Sequence, residues 1–246
     1  MTMRGTIMAS LVLSSLIPAW FVSCKKQSEG EEIRPPSRSS GQHKRRGAKK
    51  RSRDHRTLII ESGEKIFARV VHVVDGDTIH LRTEKDNLLI KGRLSGVNTP
   101  ECHKVRVKTL EGKNSAQCKS DDEAGGLDAF VFLKKRIYGK RVGMDCIKKG
   151  NKCQMGRFGR PLVTVFLGPT DVNQELISRG HGFTFTKYPS PRRARYCQAE
   201  FAARKAKVGV WRLGETVDDV LSLMSAKTRR WYKKHDALCR ESIQGR

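Results

Sequence analysis

Residues 70–81 read VVHVVDGDTIHL, and residues 91–101 read KGRLSGVNTPE. The first stretch continues a run from Glu64 in which β-branched residues alternate with others, as a half-buried strand requires. It breaks at Asp75-Gly76-Asp77, the chemistry of a turn or bulge between strands, and resumes as TIHL. Asn87–Val97, with the run LLIKGRLSGV, reads as a further strand that Pro100 stops. If the two strand runs are neighbours, their ends bring Asp75, Asp77, Asn98, Thr99 and Glu101 together. The bend at Gly76 lets Asp75 and Asp77 point in different directions.

Working outward, Lys104–Gly126 is polar and glycine-containing and reads as a loop with at most one helical turn. Leu127–Tyr138 carries apolar residues at helical spacing and stops at Gly139. Arg141–Cys146 and Pro161–Leu167 read as strands. Asp171–Arg179 reads as a short helix with Asp171 as N-cap and Gly180 as terminator. Arg192–Gly209 reads as a basic amphipathic helix, and Thr216–Cys239 as one more helix outside the main domain. Strands, a helix, strands and further helices suit an α+β arrangement, a small barrel with helices packed on it.

The 246-residue chain has 50 Lys and Arg against 25 Asp and Glu, a formal net charge of +25. Such an excess points to a polyanionic partner, either nucleic acid or an anionic envelope surface. The N-terminus reads as an export signal: Arg4, an apolar run over Ala9–Val22, then Phe21-Val22-Ser23-Cys24. That ending is similar to a lipobox, with lipid attached to Cys24 and a membrane anchor as the consequence. Ordinary cleavage without lipid is the alternative. Residues 25–56 carry 12 Lys and Arg with 4 acids and few large apolar groups, so they read as a disordered basic linker. The expected organisation is a signal at 1–23, linker at 24–56, folded domain at 57–213 and helical extension at 214–246.

Apart from Cys24 there are six cysteines, an even number in a chain read as exported, which favours disulfides. Fifteen pairings are open. Only Cys146 with Cys153 has a local argument, because the two flank turn residues between strand-like runs. No C-x-x-C spacing or nearby His pair supports zinc.

Asp77, Asn98 and a main-chain carbonyl at Thr99 offer only oxygen ligands, which suit a hard cation such as Ca²⁺ or Mg²⁺. Glu101 is placed to take a proton from water beside such a cation. Arg93, and Arg160 in GRFGRPL, supply guanidinium groups that grip phosphate oxygens and stabilise charge growing in a transition state. Together these residues make a phosphodiester-hydrolysing set.

The succession DGDT, RLSGVNTPE, GRFGRPL, VNQELISRG and AEFAARKAKVGVW resembles the staphylococcal nuclease (thermonuclease) family over residues 64 to 212. The resemblance implies a five-stranded OB-type barrel with about three helices. It also implies Ca²⁺-dependent cleavage of single-stranded or frayed DNA and of RNA. By position, Asp77 resembles the first calcium carboxylate and Thr99 the main-chain ligand. Glu101 resembles the general base or water-positioning residue. Arg93 and Arg160 resemble the phosphate-binding arginines, with Arg160 nearer the leaving group. Asn98 departs from the family, which commonly has Asp there; an amide keeps a carbonyl oxygen but no charge, so the expectation is weaker calcium binding, or tolerance of other divalent ions, rather than loss of activity.

Phe158 and Tyr188 are candidates for base stacking, and His103 for proton transfer, but packing for the two rings and a solvated loop for the histidine are the simpler readings, and none of the three is placed in the site. Trp231-Tyr232-Lys233-Lys234 either extends a nucleic-acid face or packs. The expectation is an exported, monomeric, metal-dependent nuclease. The alternatives are a non-catalytic nucleic-acid-binding module on the same fold and a basic surface lipoprotein.

Overall fold

A computed structural model describes residues 66–150 and 152–244. The signal segment at 1–23, Cys24 and the basic linker to residue 56 lie outside the described residues.

The opening stretch forms β1 (Ile66–Asp75) and β2 (Thr78–Thr83), an antiparallel hairpin turning at Gly76-Asp77. Ala68 and Val70 alternate with exposed Phe67 and Arg69, the period-two pattern of a half-buried strand. The register then shifts between Val70 and His72 and again between Val73 and Asp75. Bulges of this kind re-aim side chains, and here every residue from His72 to Leu81 is buried.

β3 (Leu89–Leu94) pairs antiparallel with β2 and places Arg93 directly opposite Thr78. β4 (Val97–Asn98) follows as a short strand. The segment expected to be a loop is instead a ribbon, β5 (Cys102–Lys108) paired with β6 (Asn114–Asp121). Its strands pair only with each other and are clamped by the Cys102–Cys118 disulfide, so it forms without an apolar face. The alternation of Val105 and Val107 with charged neighbours was the available signal.

Helix α1 (Gly126–Ile137) buries Ala129, Phe130, Leu133 and Ile137. β7 (Arg141–Cys146) returns to pair with β1. A small hairpin of β8 (Lys148–Lys149) and β9 (Lys152–Cys153) follows, closed by the Cys146–Cys153 disulfide expected from local spacing. β10 (Leu162–Leu167) pairs antiparallel with β7 and parallel with β3. The order β1-β2-β3-β10-β7 therefore closes on β1 as a five-stranded barrel, the expected OB-type architecture in an α+β domain. Its interior holds Val70, Ile79, Leu81, Leu94, Val163 and Val165, each at most 1% exposed. Burying a side chain of this size contributes about 1.5–3 kcal/mol.

β11 (Thr170–Asp171) leads into α2 (Val172–Ser178), whose N-cap Asp171 accepts a hydrogen bond from the Gln174 N–H as expected. β12 (Phe183–Thr184) pairs with β4, and α3 (Arg193–Lys205) follows. The C-terminal segment expected as one helix is two, α4 (Val217–Ser222) and α5 (Ala226–Gln244). A capping box opens α4, where Thr216 and Asp219 bond reciprocally, and the helix ends before Met224 turns inward.

These two helices pack onto the domain. Phe183, Ala203, Trp211, Val220, Leu221, Met224 and Tyr232 form a second buried cluster. The Cys197–Cys239 disulfide joins α3 to α5, and the Tyr232 hydroxyl donates to Glu200 at 2.7 Å. Sequence periodicity finds the helix but not this docking, because the partners Phe183 and Trp211 lie in short segments far away in the chain. Among the described residues no helix is long and apolar enough to cross a membrane.

Candidate functional site

The β1–β2 turn, the chain after β3, the residues before β10 and the N-terminus of α5 surround one cleft of about 480 Å³. Asp77, Arg93, Asn98, Thr99, Glu101 and Arg160, every cleft residue singled out from sequence for catalysis or metal binding, line it. Its charged lining also includes Asp75, Lys104, Arg157, Lys187 and Lys227, so six cations face three carboxylates.

Gly76 allows the turn that starts this site. A Cβ there would lie 2.7–2.8 Å from the Thr99 and Ala129 side chains, so the turn nests against the residues after β4. The Asp77 N–H donates to Asp75 Oδ1 at 3.1 Å, which holds the bend. Asp77 Oδ1 accepts from the Thr78 hydroxyl at 3.0 Å, and Oδ2 accepts from the Thr99 N–H at 3.2 Å.

Arg93 reaches across from β3. Its guanidinium forms an ion pair with Asp77 and donates from Nη2 to Asn98 Oδ1 at 2.9 Å. Burial lowers the Arg93 guanidinium to about 10; Asp75 and Glu101 oppose that shift and Arg160 adds to it. It remains a cation at neutral pH. Arg160 Nη1 donates to the Thr78 hydroxyl at 3.0 Å. Thr78 therefore links Arg160 to Asp77, a role the sequence reading did not assign although the residue ends the DGDT motif.

Glu101 differs from its neighbours in exposure. Its side chain is 51% exposed, against 12% for Asp77 and for Arg93, so its carboxylate meets solvent at the cleft. Lys104 Nζ lies 3.2 Å from Asp75 Oδ2 and 3.5 Å from Glu101 Oε2, an internal cation between two acids. The backbone behind Glu101 is held by buried Glu123, whose Oε2 accepts from the Glu101 N–H at 2.9 Å. Glu123 Oε1 accepts from the Ser225 N–H at 3.0 Å. Burial would raise the Glu123 carboxyl, but hydrogen bonds from Ser225, Glu101 and Thr228 outweigh it and leave it below its ordinary value. Neither Lys104 nor Glu123 was found from sequence. Glu123 sits in an unremarked polar stretch, and only its long-range partners reveal its role.

Phe158 is 77% exposed at the rim, with the Arg157 guanidinium 4.8 Å from its ring. Tyr188 is half-buried in the lining, whereas His103 is exposed and does not line the cleft.

The donor set suits a hard cation by its chemistry. Asp77, Asn98 and the Thr99 carbonyl present oxygen only. Among the described residues no group of three or more His, Cys, Asp or Glu is arranged to hold a metal. A cation held here would therefore depend on the Asn98 amide and a main-chain carbonyl beside one carboxylate, and it would share Asp77 and Asn98 with Arg93.

A family model described as staphylococcal nuclease homologue matches residues 91–213, half of the chain. That span includes Arg93, Asn98, Thr99, Glu101 and Arg160 and begins after Asp77. An uncharacterized protein of Bacillus anthracis is 28% identical over 176 residues, spanning 71% of this chain and 70% of its own length. An uncharacterized protein of Methanocaldococcus jannaschii is 28% identical over 217 residues, 85% of this chain and 97% of its own length. A thermonuclease of Staphylococcus hyicus is 28% identical over 146 residues, 58% of this chain and 74% of its own length. The barrel, the cleft and the matched span agree, and this chain belongs to the staphylococcal nuclease family.

Proposed function

We propose that this protein is a nuclease that hydrolyses phosphodiester bonds of DNA or RNA, assisted by a divalent cation of the calcium type. The observation that carries this reading is the convergence of Arg93, Arg160 and solvent-facing Glu101 on one cleft. Two guanidinium groups bind the non-bridging phosphate oxygens and stabilise their growing charge. Glu101 takes the proton of a water molecule whose oxygen forms the new bond to phosphorus. One phosphorus–oxygen ester bond breaks, and the leaving oxygen acquires a proton from solvent. Asp77, Asn98 and the Thr99 carbonyl would hold the cation, which supplies further charge stabilisation at the phosphate.

Digesting single-stranded DNA and RNA with the purified chain tests this. Cleavage is expected with Ca²⁺ and is expected to disappear with chelator and in Glu101→Ala. Equal cleavage with chelator, or by the variant, contradicts the mechanism. A second reading, a non-catalytic nucleic-acid-binding module, is favoured by one observation: Arg93 already neutralises Asp77 and occupies the Asn98 oxygen. Binding without cleavage by the wild type would select it.

We also propose that the protein is exported and anchored through lipid on Cys24, with residues 24–56 as tether. Six cysteines in three disulfides suit an oxidising compartment. Metabolic labelling with a radiolabelled fatty acid is expected to mark the wild type and not Cys24→Ala; equal labelling contradicts the anchor.

A further inference from the structure

We propose that helix α5 supplies a substrate subsite, in which Trp231 and Lys227 hold a base and a phosphate of single-stranded nucleic acid beside the reacting phosphate. This rests on the nuclease reading of the cleft and adds a partner surface from outside the span that the family model matches.

The geometry begins at the reacting end. The Arg93 guanidinium lies 5.8 Å from the centre of the Phe185 ring. Phe185 in turn stacks on Trp231, with ring centres 5.3 Å apart and planes 22° from parallel. Phe185, Tyr188 and Trp231 are each half-buried and line the cleft, so their remaining surface is available to a ligand. The indole Nε1 of Trp231 is buried without a hydrogen-bond partner among the described residues.

Lys227 is one helical turn before Trp231, so both project from the same face of α5. Lys227 and Lys187 are exposed on the cleft lining. Aromatic faces interleaved with cations are what a single strand requires, because stacking accepts any base and the cations track the backbone.

This wall is rigidly attached. Besides the Cys197–Cys239 disulfide, the Arg204 guanidinium pairs with Asp236 at 2.7 Å, and Thr186 hydrogen-bonds His235. The same Glu123 carboxylate that holds the Glu101 backbone also holds Ser225, immediately before α5. The subsite and the proposed general base therefore share one anchor, which fixes their spacing.

The test uses the full chain, with a fluorescein-labelled ten-nucleotide oligo-dT as probe. Binding is read by anisotropy in chelator, and cleavage separately with Ca²⁺. Trp231→Ala is expected to weaken binding about tenfold or more and to raise KM similarly, with kcat within about twofold. Trp231→Phe is expected to restore most of the affinity. Lys227→Ala is expected to lower the slope of log affinity against log salt by about 0.7. Lys233→Ala, exposed and away from the cleft, is the control for the general basic surface.

Methyl p-nitrophenyl phosphate, a diester with neither a nucleobase nor a second phosphate for α5 to hold, is expected to be cleaved equally by wild type and variants. Binding within twofold of wild type in both Trp231→Ala and Lys227→Ala, with unchanged melting temperature, overturns the subsite. So does an equal loss on methyl p-nitrophenyl phosphate, or a wild type that does not bind the probe. A wild type that binds without cutting, and loses affinity in Trp231→Ala, overturns hydrolysis while upholding the subsite.

Discussion

Replacing Asn98 with Asp tests the electrostatics of the cleft at one atom. The Asn98 Oδ1 already accepts a hydrogen bond from Arg93, and Arg93 also neutralises Asp77. A carboxylate at position 98 adds one negative charge in a half-buried place, without a change in side-chain size. A unit charge acting on a divalent cation about 4 Å away gains on the order of 2 kcal/mol in bulk water and several times that at the lower effective dielectric of a protein surface. Part of this is offset, because the new charge also strengthens the pair with Arg93 that the cation must share. The net tightening of cation binding should be about 1–2 kcal/mol, about 5- to 30-fold. Isothermal titration with Ca²⁺ measures binding directly, and activity against Ca²⁺ concentration gives a second reading. Unchanged or weaker binding in Asn98→Asp would refute the assignment of position 98 to the cation.

Gly76→Ala should destabilise the fold by about 1–3 kcal/mol, because its Cβ would press on Thr99 and Ala129; urea unfolding checks this. Glu123→Gln weakens charge-assisted bonds to the Glu101 and Ser225 N–H groups, so it should lower kcat more than substrate affinity and cost about 1–2 kcal/mol of stability, read from kinetics and melts. Burial holds His80 down at about 4, helped by His72 and Lys91 and opposed by Glu111, and burial with Lys234, Arg193 and Lys187 does the same for His235. The folded state thus resists protons that the unfolded state takes up near 6.5. Stability should be full above pH 6.5 and fall progressively towards pH 4, by about 1–3 kcal/mol for each histidine, as denaturation at stepped pH will show.

The barrel was legible in the chain because its strands carry their own signals. Alternation in β1, the Asp75-Gly76-Asp77 break and the short apolar run of β10 mark strands without knowledge of their partners. The cleft was legible for a related reason: Asp77, Asn98, Thr99 and Glu101 sit at strand ends, where the closing of β1, β2 and β3 collects them. The β5–β6 ribbon escaped because a disulfide and mutual pairing stand in for an apolar face. Glu123 and Lys104 escaped for a different reason. A buried carboxylate and an internal ammonium acquire meaning only from partners, and those of Glu123 include Ser225, far along the chain. The docking of α5 through Cys197, Glu200 and Phe183 belongs to the same class, because amphipathic spacing shows that a face is buried but not against what.

Hydrolysis by Glu101 is the central claim, and the single-turnover rate of Glu101→Gln on labelled single-stranded DNA with saturating Ca²⁺ tests it most directly. The account predicts a fall of about 10²- to 10⁴-fold, with DNA affinity in chelator kept within about twofold, because the amide cannot take the proton yet fills the same half-exposed place. A variant that cleaves at the wild-type rate, or a wild type that binds DNA and never cleaves it, would contradict the account.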